Sequence, residues 1–367
     1  MVSELVTVSD MASELGAEGS GAMDADDVVE ASVLDNKHLQ PCMTWRTLSH
    51  DRYYHAVREA TRGTVEAEAS PLLKAGIFFF LCCTMHLQAG SSFLTVMAGK
   101  GDSLRSLRRH SVLTYQLLHA PETRSRDRDI PFVVLVTHEI EKAARERLRK
   151  DGAIVVEVPR LTAGWLKPLQ QNWRDAMTKL RLWELVDFER VVFIDADTTL
   201  AQPLDDVFTD PATEEQTTSA NGPKPETTIN APSTYVFAGN ALHHTPFGIK
   251  AISPEHQARQ LRHLSANFFV LKPDVNLLRY YASFLQSPGS FSAMAPEESL
   301  LNMAHDWDHN MPWRQLNMTF NVVRAQLSDI KDGAKSAHDK WWGHIPPDLR
   351  IWMRDWRERM EAFQSNR

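Results

Sequence analysis

Asp195 and Asp197 stand one position apart in "FERVVFIDADTTL" (188–200), directly after Val191, Val192, Phe193 and Ile194. Side chains two apart on an extended chain share a face, so both carboxylates can reach one point. Their mutual repulsion there calls for a cation. A hard divalent ion with oxygen ligands, Mg²⁺ or Mn²⁺, suits the pair, and such ions commonly arrive bridging a diphosphate. The plainer reading is that Asp-x-Asp ends a strand and caps the next turn, as Asp205 or Asp206 could. Lys179 adds to the first reading. With Ala176, Leu182 and Trp183 at i−3, i+3 and i+4, it lies on or beside the apolar face of the preceding helix. A cation aimed at a phosphate explains that position, and snorkelling to solvent is the ordinary alternative.

The elements around this strand alternate. "FLTVMA" (93–98) reads as a strand, "SLRSLRRHSVLTYQLL" (103–118) as a helix and "PFVVLVT" (131–137) as a buried strand. "EIEKAARERLRKDG" (139–152) is a helix stopped by Gly152, "AIVVEVP" (153–159) a strand, and "NWRDAMTKLRLWEL" (172–185) the helix feeding the Asp-x-Asp strand. "TYVFAGN" (234–240) and "ANFFVLKP" (266–273) resume the strands, and "VNLLRYYASFLQ" (275–286) is helical. Strands apolar on both faces, alternating with helices, predict an α/β fold with a mostly parallel sheet flanked by helices. In such sheets ligands sit beyond the carboxyl ends of the strands, where Asp195 and Asp197 stand. Residues 211–233 read as a flexible polar insertion, and the stretch from Met294 is rich in Trp, His and Pro without strong periodicity.

A chain of 367 residues with 43% hydrophobic content can bury a large core. Its net charge of −7 is local: nine acidic and no basic residues lie between Met1 and Asp35, so the rest carries +2 (−7 with −9 removed). That leaves no broad basic footprint for nucleic acid. Residues 1–35 read as a disordered acidic tail and 36–92 as an approach segment. Cys42, Cys82 and Cys83 make a poor disulfide framework and point to a reducing, cytoplasmic setting. No signal peptide is expected from Met1–Ser32. The apolar run 77–89, "IFFFLCCTMHLQA", is short of a bilayer span and contains His86 and Gln88, which favours burial in protein. As a membrane anchor it would instead place the chain in the Golgi or endoplasmic reticulum.

"MTKLRLWELVDFERVVFIDADTTLAQPLDDVF" (177–208) resembles the signature block of the family 8 retaining glycosyltransferases, the glycogenin-like group, where a Thr-Lys-Leu helix precedes a strand ending in Asp-x-Asp. The resemblance extends with gaps over roughly 93–344. "LSANFFVLKPD" (264–274) stands where the family has a Phe-Asn-Ser-Gly strand, and "PEESLLN" (296–302) where it has Gly-Asp-Gln-Gly-Leu-Leu-Asn. "MPWRQLNMTFN" (311–321) corresponds to its Leu-Pro-x-x-Tyr-Asn stretch and "SAHDKWWGH" (336–344) to its His-x-x-Gly-x-Lys-Pro-Trp element.

The resemblance implies a single GT-A, Rossmann-like nucleotide-sugar domain over 93–350, followed by a helical tail at 351–367. It implies a UDP-sugar donor and Mn²⁺ held by Asp195, Asp197 and His338, with Mg²⁺ as the alternative ion. Lys179 and Lys340 would serve the diphosphate, and Thr95, Ser265 and Asn267 the rest of the donor. Glu297 or Glu298, with Glu298 ranked ahead, would stand beside the anomeric carbon. Both glutamates are also explained by helix-dipole complementarity alone, and His338 could be an ordinary surface histidine. The family's sugar-contacting Asn falls on Ser265, its Gly on Asn267 and its Asp-Gln pair on Glu297 and Glu298, which leaves the donor sugar open.

Glycogenin glucosylates one of its own tyrosines in the segment before the metal His, but no tyrosine occurs here from Ala282 to Arg367. An external sugar, lipid, alcohol or protein acceptor is therefore expected. Two rivals stand beside this reading. "DADTTL" also fits the nucleophile motif of haloacid-dehalogenase-type phosphatases, although that motif normally opens its domain. The altered sugar-contact positions would also suit a catalytically idle nucleotide-sugar-binding protein.

Overall fold

The structure, a computed structural model, describes residues 90–98, 103–170, 173–220, 227, 229–241, 262–340 and 343–367. The acidic segment 1–35 and the apolar stretch 77–89 lie outside the described residues. Among the described residues no helix is long and apolar enough to cross a membrane.

Strand β1 (Ser91–Met97) is followed by helix α1 (Ser103–Leu118), β2 (Phe132–Val136), α2 (Lys142–Lys150) and β3 (Ile154–Glu157). A 3₁₀ helix, Ala176–Glu184, stands where an α-helix over 172–185 was expected. In its tighter winding residues three apart align, so Lys179 lies in line with Ala176 and Leu182. Then come β4 (Arg190–Ile194), β5 (Thr198–Leu200), β6 (Gln216–Thr217), β7 (Thr234–Tyr235), β8 (Phe237–Ala241) and β9 (Leu264–Leu271). Helices α3 (Val275–Leu285) and α4 (Pro296–Ala304) follow. The chain ends with β10 (Arg314–Gln315), β11 (Val322–Val323), α5 (Leu327–Lys331), β12 (Ser336–His338) and α6 (Pro347–Ser365).

Seven strands form the main sheet in the order β10-β8-β9-β4-β1-β2-β3. Pairings β4-β1, β1-β2, β2-β3 and β10-β8 are parallel, while β9 runs antiparallel to β4 and β8. The result is a mixed α/β fold whose central sheet is mostly parallel and flanked by helices. Period-two alternation divides each strand between two cores. Val191 and Phe193 of β4, with Phe269 and Leu271 of β9, face Trp183 and helices α3 and α4. Val192 and Ile194, with Phe268 and Val270, face α1 and α2. Trp183 is fully buried with its ring near Phe237, Phe269 and Tyr281, so the 3₁₀ helix carrying Lys179 is anchored by the largest core side chain. A third cluster packs Leu349, Met353, Trp356 and Met360 of α6 against Val112 and Ala120 at α1.

The polar stretch read as a flexible insertion is ordered at its start. Pro211–Thr213 form a 3₁₀ turn capped by Asp210, β6 pairs antiparallel with β7, and Ser219 N–H donates to Asn310 O. Backbone pairing and the burial of Ala212 tie down this start of the segment.

A small second sheet, β11-β12-β5, decides the site. Strand β5 leaves the edge just beyond β4, and β12 lies antiparallel on it with His338 opposite Thr198. Because β9 runs against β4, the start of β9, Ser265 to Asn267, reaches the edge where β4 ends.

Candidate metal centre

Asp195 and Asp197 occupy the turn between β4 and β5. Asp195 N–H donates to Asn267 O at 2.8 Å and Asp195 O accepts from Thr198 N–H at 3.0 Å, which fixes the turn against β9. The register of β12 on β5 then sets the His338 ring beside Asp197, with Nε2 to Oδ1 at 3.0 Å. One ligand atom from each of Asp195, Asp197 and His338 lies within 4.8 Å of the others. Two carboxylates and one imidazole, all partly buried at the sheet's carboxyl edge, fit a divalent cation with mixed oxygen and nitrogen affinity, such as Mn²⁺.

Charge around this point is arranged in pairs. Lys179 Nζ lies 3.2 Å from Asp195 Oδ1, 3.1 Å from Glu297 Oε1 and 3.1 Å from Ala266 O, with the Phe193 ring 4.9 Å away. Burial alone would lower the lysine's pKa, but the charges of Asp195 and Glu297 outweigh it and raise it, so the ammonium is firmly protonated. Asp195 is raised, by burial first, then by Asp197 and Glu297, against the pull of Lys179. Asp197 is lowered: burial works against its charge, yet the charge and hydrogen bond of His338, with Arg109 and Lys340, prevail. His338 is raised, because Asp197 and Asp195 overcome burial. Opposing that pull, the Asn267 amide presents Nδ2 to His338 Nδ1 at 2.6 Å, and this contact suits the neutral ring with its hydrogen on Nε2. Asp195, Asp197 and Glu297 thus crowd three carboxylates around the Lys179 ammonium, with Arg109 and Lys340 adding charge at Asp197.

The remaining expected site residues are spread over two sides of the centre. Glu297 faces Lys179, whereas Glu298 turns to the start of β9, where His263 Nε2 meets Oε1 at 3.1 Å and Ala266 N–H donates to Oε2 at 3.1 Å. Burial would raise the Glu298 carboxyl, but His263 and the Ala266 N–H lower it, so it is ionised. Ser265 is buried in β9. Asn267, also buried, links the backbone of Asp195 to the ring of His338. Lys340 is exposed just past β12 and adds positive charge at Asp197. Thr95 is buried in β1 with its hydroxyl lacking a protein partner.

Three contributors had no signal in the sequence. Asn321 donates from Nδ2 to Asn267 Oδ1 at 2.8 Å across 54 residues, Arg109 of α1 adds charge at Asp197, and His263 holds Glu298. Each depends on a tertiary approach that no local pattern encodes.

No family model matches the chain. It is 23% identical over 269 residues to the uncharacterized protein C5H10.12c of Schizosaccharomyces pombe, covering 67% of this chain and 71% of that protein. It is 25% identical over 257 residues to the uncharacterized protein C4C3.09 of the same yeast, covering 63% and 66%. Among solved structures, the WbbM bifunctional glycosyltransferase is similar at 10% identity and TM-score 0.40, over 71% of this chain and 47% of WbbM. The glycosyltransferase GlyE of Streptococcus pneumoniae TIGR4 is similar at 11% and 0.43, over 76% and 62%. Mouse xyloside xylosyltransferase 1 is similar at 10% and 0.37, over 70% of this chain and all of that one. Likenesses this distant leave the reading of the site to its own geometry.

Proposed function

We propose that the chain is a divalent-cation-dependent glycosyltransferase of the GT-A type, resembling family 8, that moves a hexosyl group from a UDP-sugar to an external acceptor with retention at the anomeric carbon. The observation that carries this reading is the convergence of Asp195, Asp197 and His338 at the carboxyl edge of the sheet. These three residues would hold Mn²⁺, whose chemistry there is Lewis-acid neutralisation of charge gathering on the departing diphosphate.

The chain's own groups supply the rest. Lys179 neutralises Asp195 and Glu297 and holds both carboxylates in place. Lys340, exposed beside Asp197, is free to reach a phosphate oxygen. Glu298, kept ionised by His263 and the Ala266 N–H, stabilises positive charge developing at the anomeric carbon. Ser265 and Asn267 line the same edge, and Thr95 lies in the adjoining strand β1. Of the four tyrosines among the described residues, Tyr235, Tyr280 and Tyr281 are buried and Tyr115 is partly buried against α6, which supports an external acceptor.

The test is to incubate the protein with a panel of UDP-sugars and Mn²⁺, follow UDP release, and weigh the product by mass spectrometry, with a phosphatase assay alongside. Mn²⁺-dependent UDP release with a glycosylated product is the expected result. Phosphatase turnover without UDP release would overturn the proposal in favour of Asp195 as a phosphorylated nucleophile. UDP-sugar binding with no turnover would leave a binding protein.

A further inference from the structure

Asn267 is where the two halves of the centre meet. Its main-chain oxygen accepts from Asp195 N–H at 2.8 Å, and its amide Nδ2 lies 2.6 Å from His338 Nδ1. Asn321 Nδ2 donates to Asn267 Oδ1 at 2.8 Å, and both asparagines are buried, at 7% and 5% exposure. With Oδ1 taken by Asn321, only the donating end of the Asn267 amide faces the ring. In the neutral ring His338 Nδ1 then accepts, which puts the hydrogen on Nε2, where it donates to Asp197 Oδ1. In this state the nitrogen turned toward the carboxylates has no lone pair to offer. Asn321 Oδ1 is meanwhile buried with no hydrogen-bond partner.

We infer that Asn267 and Asn321 form a two-position amide relay that sets which nitrogen of His338 carries hydrogen and reverses when a divalent cation is bound. The inference rests on reading Asp195, Asp197 and His338 as a metal centre. For Nε2 to offer its lone pair, the neutral ring must carry hydrogen on Nδ1, and a ligating histidine regularly donates that hydrogen to an oxygen. Asn267 Oδ1 is within reach once its amide turns by half a rotation. That turn brings Asn267 Nδ2 to Asn321, whose unpartnered Oδ1 becomes the acceptor after the same rotation. One hydrogen leaves Nε2 to water and one is taken from water at Nδ1, so no net proton is exchanged. Without the reversal, Nδ1–H would face an amide NH₂ in a buried site, two donors with no acceptor between them. Asn267 thus acts as a positioning residue, through His338.

The experiment uses the full chain with ¹⁵N-labelled histidine, with the pH raised until the ring nitrogens show the neutral form. Long-range ¹⁵N–¹H correlation spectra are recorded without metal and with diamagnetic Zn²⁺. Hydrogen on Nε2 without metal and on Nδ1 with it is the expected result. Mn²⁺ titration calorimetry runs alongside. Asn267→Leu should weaken binding by about 10–100-fold, while Asn267→Asp, whose carboxylate accepts from Nδ1–H without turning, should bind within a few-fold of the unaltered chain or tighter. Hydrogen on the same nitrogen in both spectra overturns the relay even if Asn267→Leu fails to fold. Equal Mn²⁺ affinity of Asn267→Leu and the unaltered chain also overturns it, leaving the metal centre standing. An unaltered chain that binds no divalent cation overturns both.

Discussion

His338 Nε2 and Asp197 Oδ1 lie 3.0 Å apart although 141 residues separate them in the chain. The distance is set by backbone pairing, since His338 sits opposite Thr198 in the antiparallel register of β12 on β5. Removing the ring should therefore cost the centre a ligand without moving its carboxylates. His338→Leu is expected to lower Mn²⁺ affinity by about 100-fold or more, beyond the usual cost of an outer-shell loss. Calorimetric titration checks this, with urea unfolding to confirm that the fold persists. Unchanged affinity would remove His338 from the ligand set.

Lys179 is the counter-charge for two carboxylates at once. Its replacement by Met leaves Asp195 and Glu297 facing each other in a mostly buried site, where breaking a charge pair costs about 3–5 kcal/mol. Lys179→Met should lower stability in urea by an amount of that order. Adding Glu297→Gln should recover part of the loss, because one of the two uncompensated charges is gone. A double variant no more stable than the single one would mean that packing against the Phe193 ring, rather than charge, sets the cost.

The alternation of apolar strands and helices made the α/β class and the mostly parallel sheet legible before any coordinates, and it placed Asp195 and Asp197 at a strand tip. What it could not show was how a strand near the end of the chain comes back to that tip. His338 emerged from resemblance alone, because β12 is three residues long and has no periodicity to read. The resemblance gives Asn267 to the donor and carries no sign that its side chain meets His338 and Asn321. The 3₁₀ winding of Ala176–Glu184 was equally hidden, since its apolar spacing fits an α-helix as well. Local pattern carries the elements, while the site is made of contacts between residues far apart in sequence.

Glu298 is held ionised by His263 and the Ala266 N–H, an arrangement suited to meeting positive charge. In the proposed reaction Glu298→Gln keeps the shape and loses the charge, so kcat should fall by about 100-fold or more with KM little changed, as for loss of a transition-state electrostatic contact. Initial rates across donor concentrations separate the two constants. A fall confined to KM would make Glu298 a ground-state binding group.

Gly239 lies where β8 and β9 pair beside a shift in their register. A Cβ added there would collide with Leu264 Cδ1 and stand 3.2 Å from Phe268 O. Leu264 is fully buried at the start of β9, so it has little room to give. Gly239→Ala should destabilise by about 1–3 kcal/mol, the usual cost of overpacking. Leu264→Val in the same chain should return part of it in urea unfolding. An unaffected single variant would mean that β9 slides, which Mn²⁺ affinity would register through Asn267.

Acid should weaken the metal-free protein through two histidines remote from solvent. Burial lowers both His110 and His305 to about 4. His110 is held between Ser106 O and Val96 O, and His305 between the Tyr281 hydroxyl and Met311 O. Unfolded, each ring titrates near 6.5, so between pH 6.5 and 4 the unfolded chain binds protons that the folded one refuses, and stability falls as pH falls. Asp339 works the other way. Burial raises it to about 6, so the folded chain holds an extra proton below that pH and gains stability on acidification. Of these three groups the two rings outweigh the one carboxyl, so their combined effect is a loss of stability as pH falls through the lower part of that window. Urea unfolding at a series of pH values, in the presence of a chelator, measures the slope. His305→Gln removes one of the two losses and should flatten it. A profile that is level in the unaltered chain, or rises toward acid, would show that these rings accept protons in the folded state.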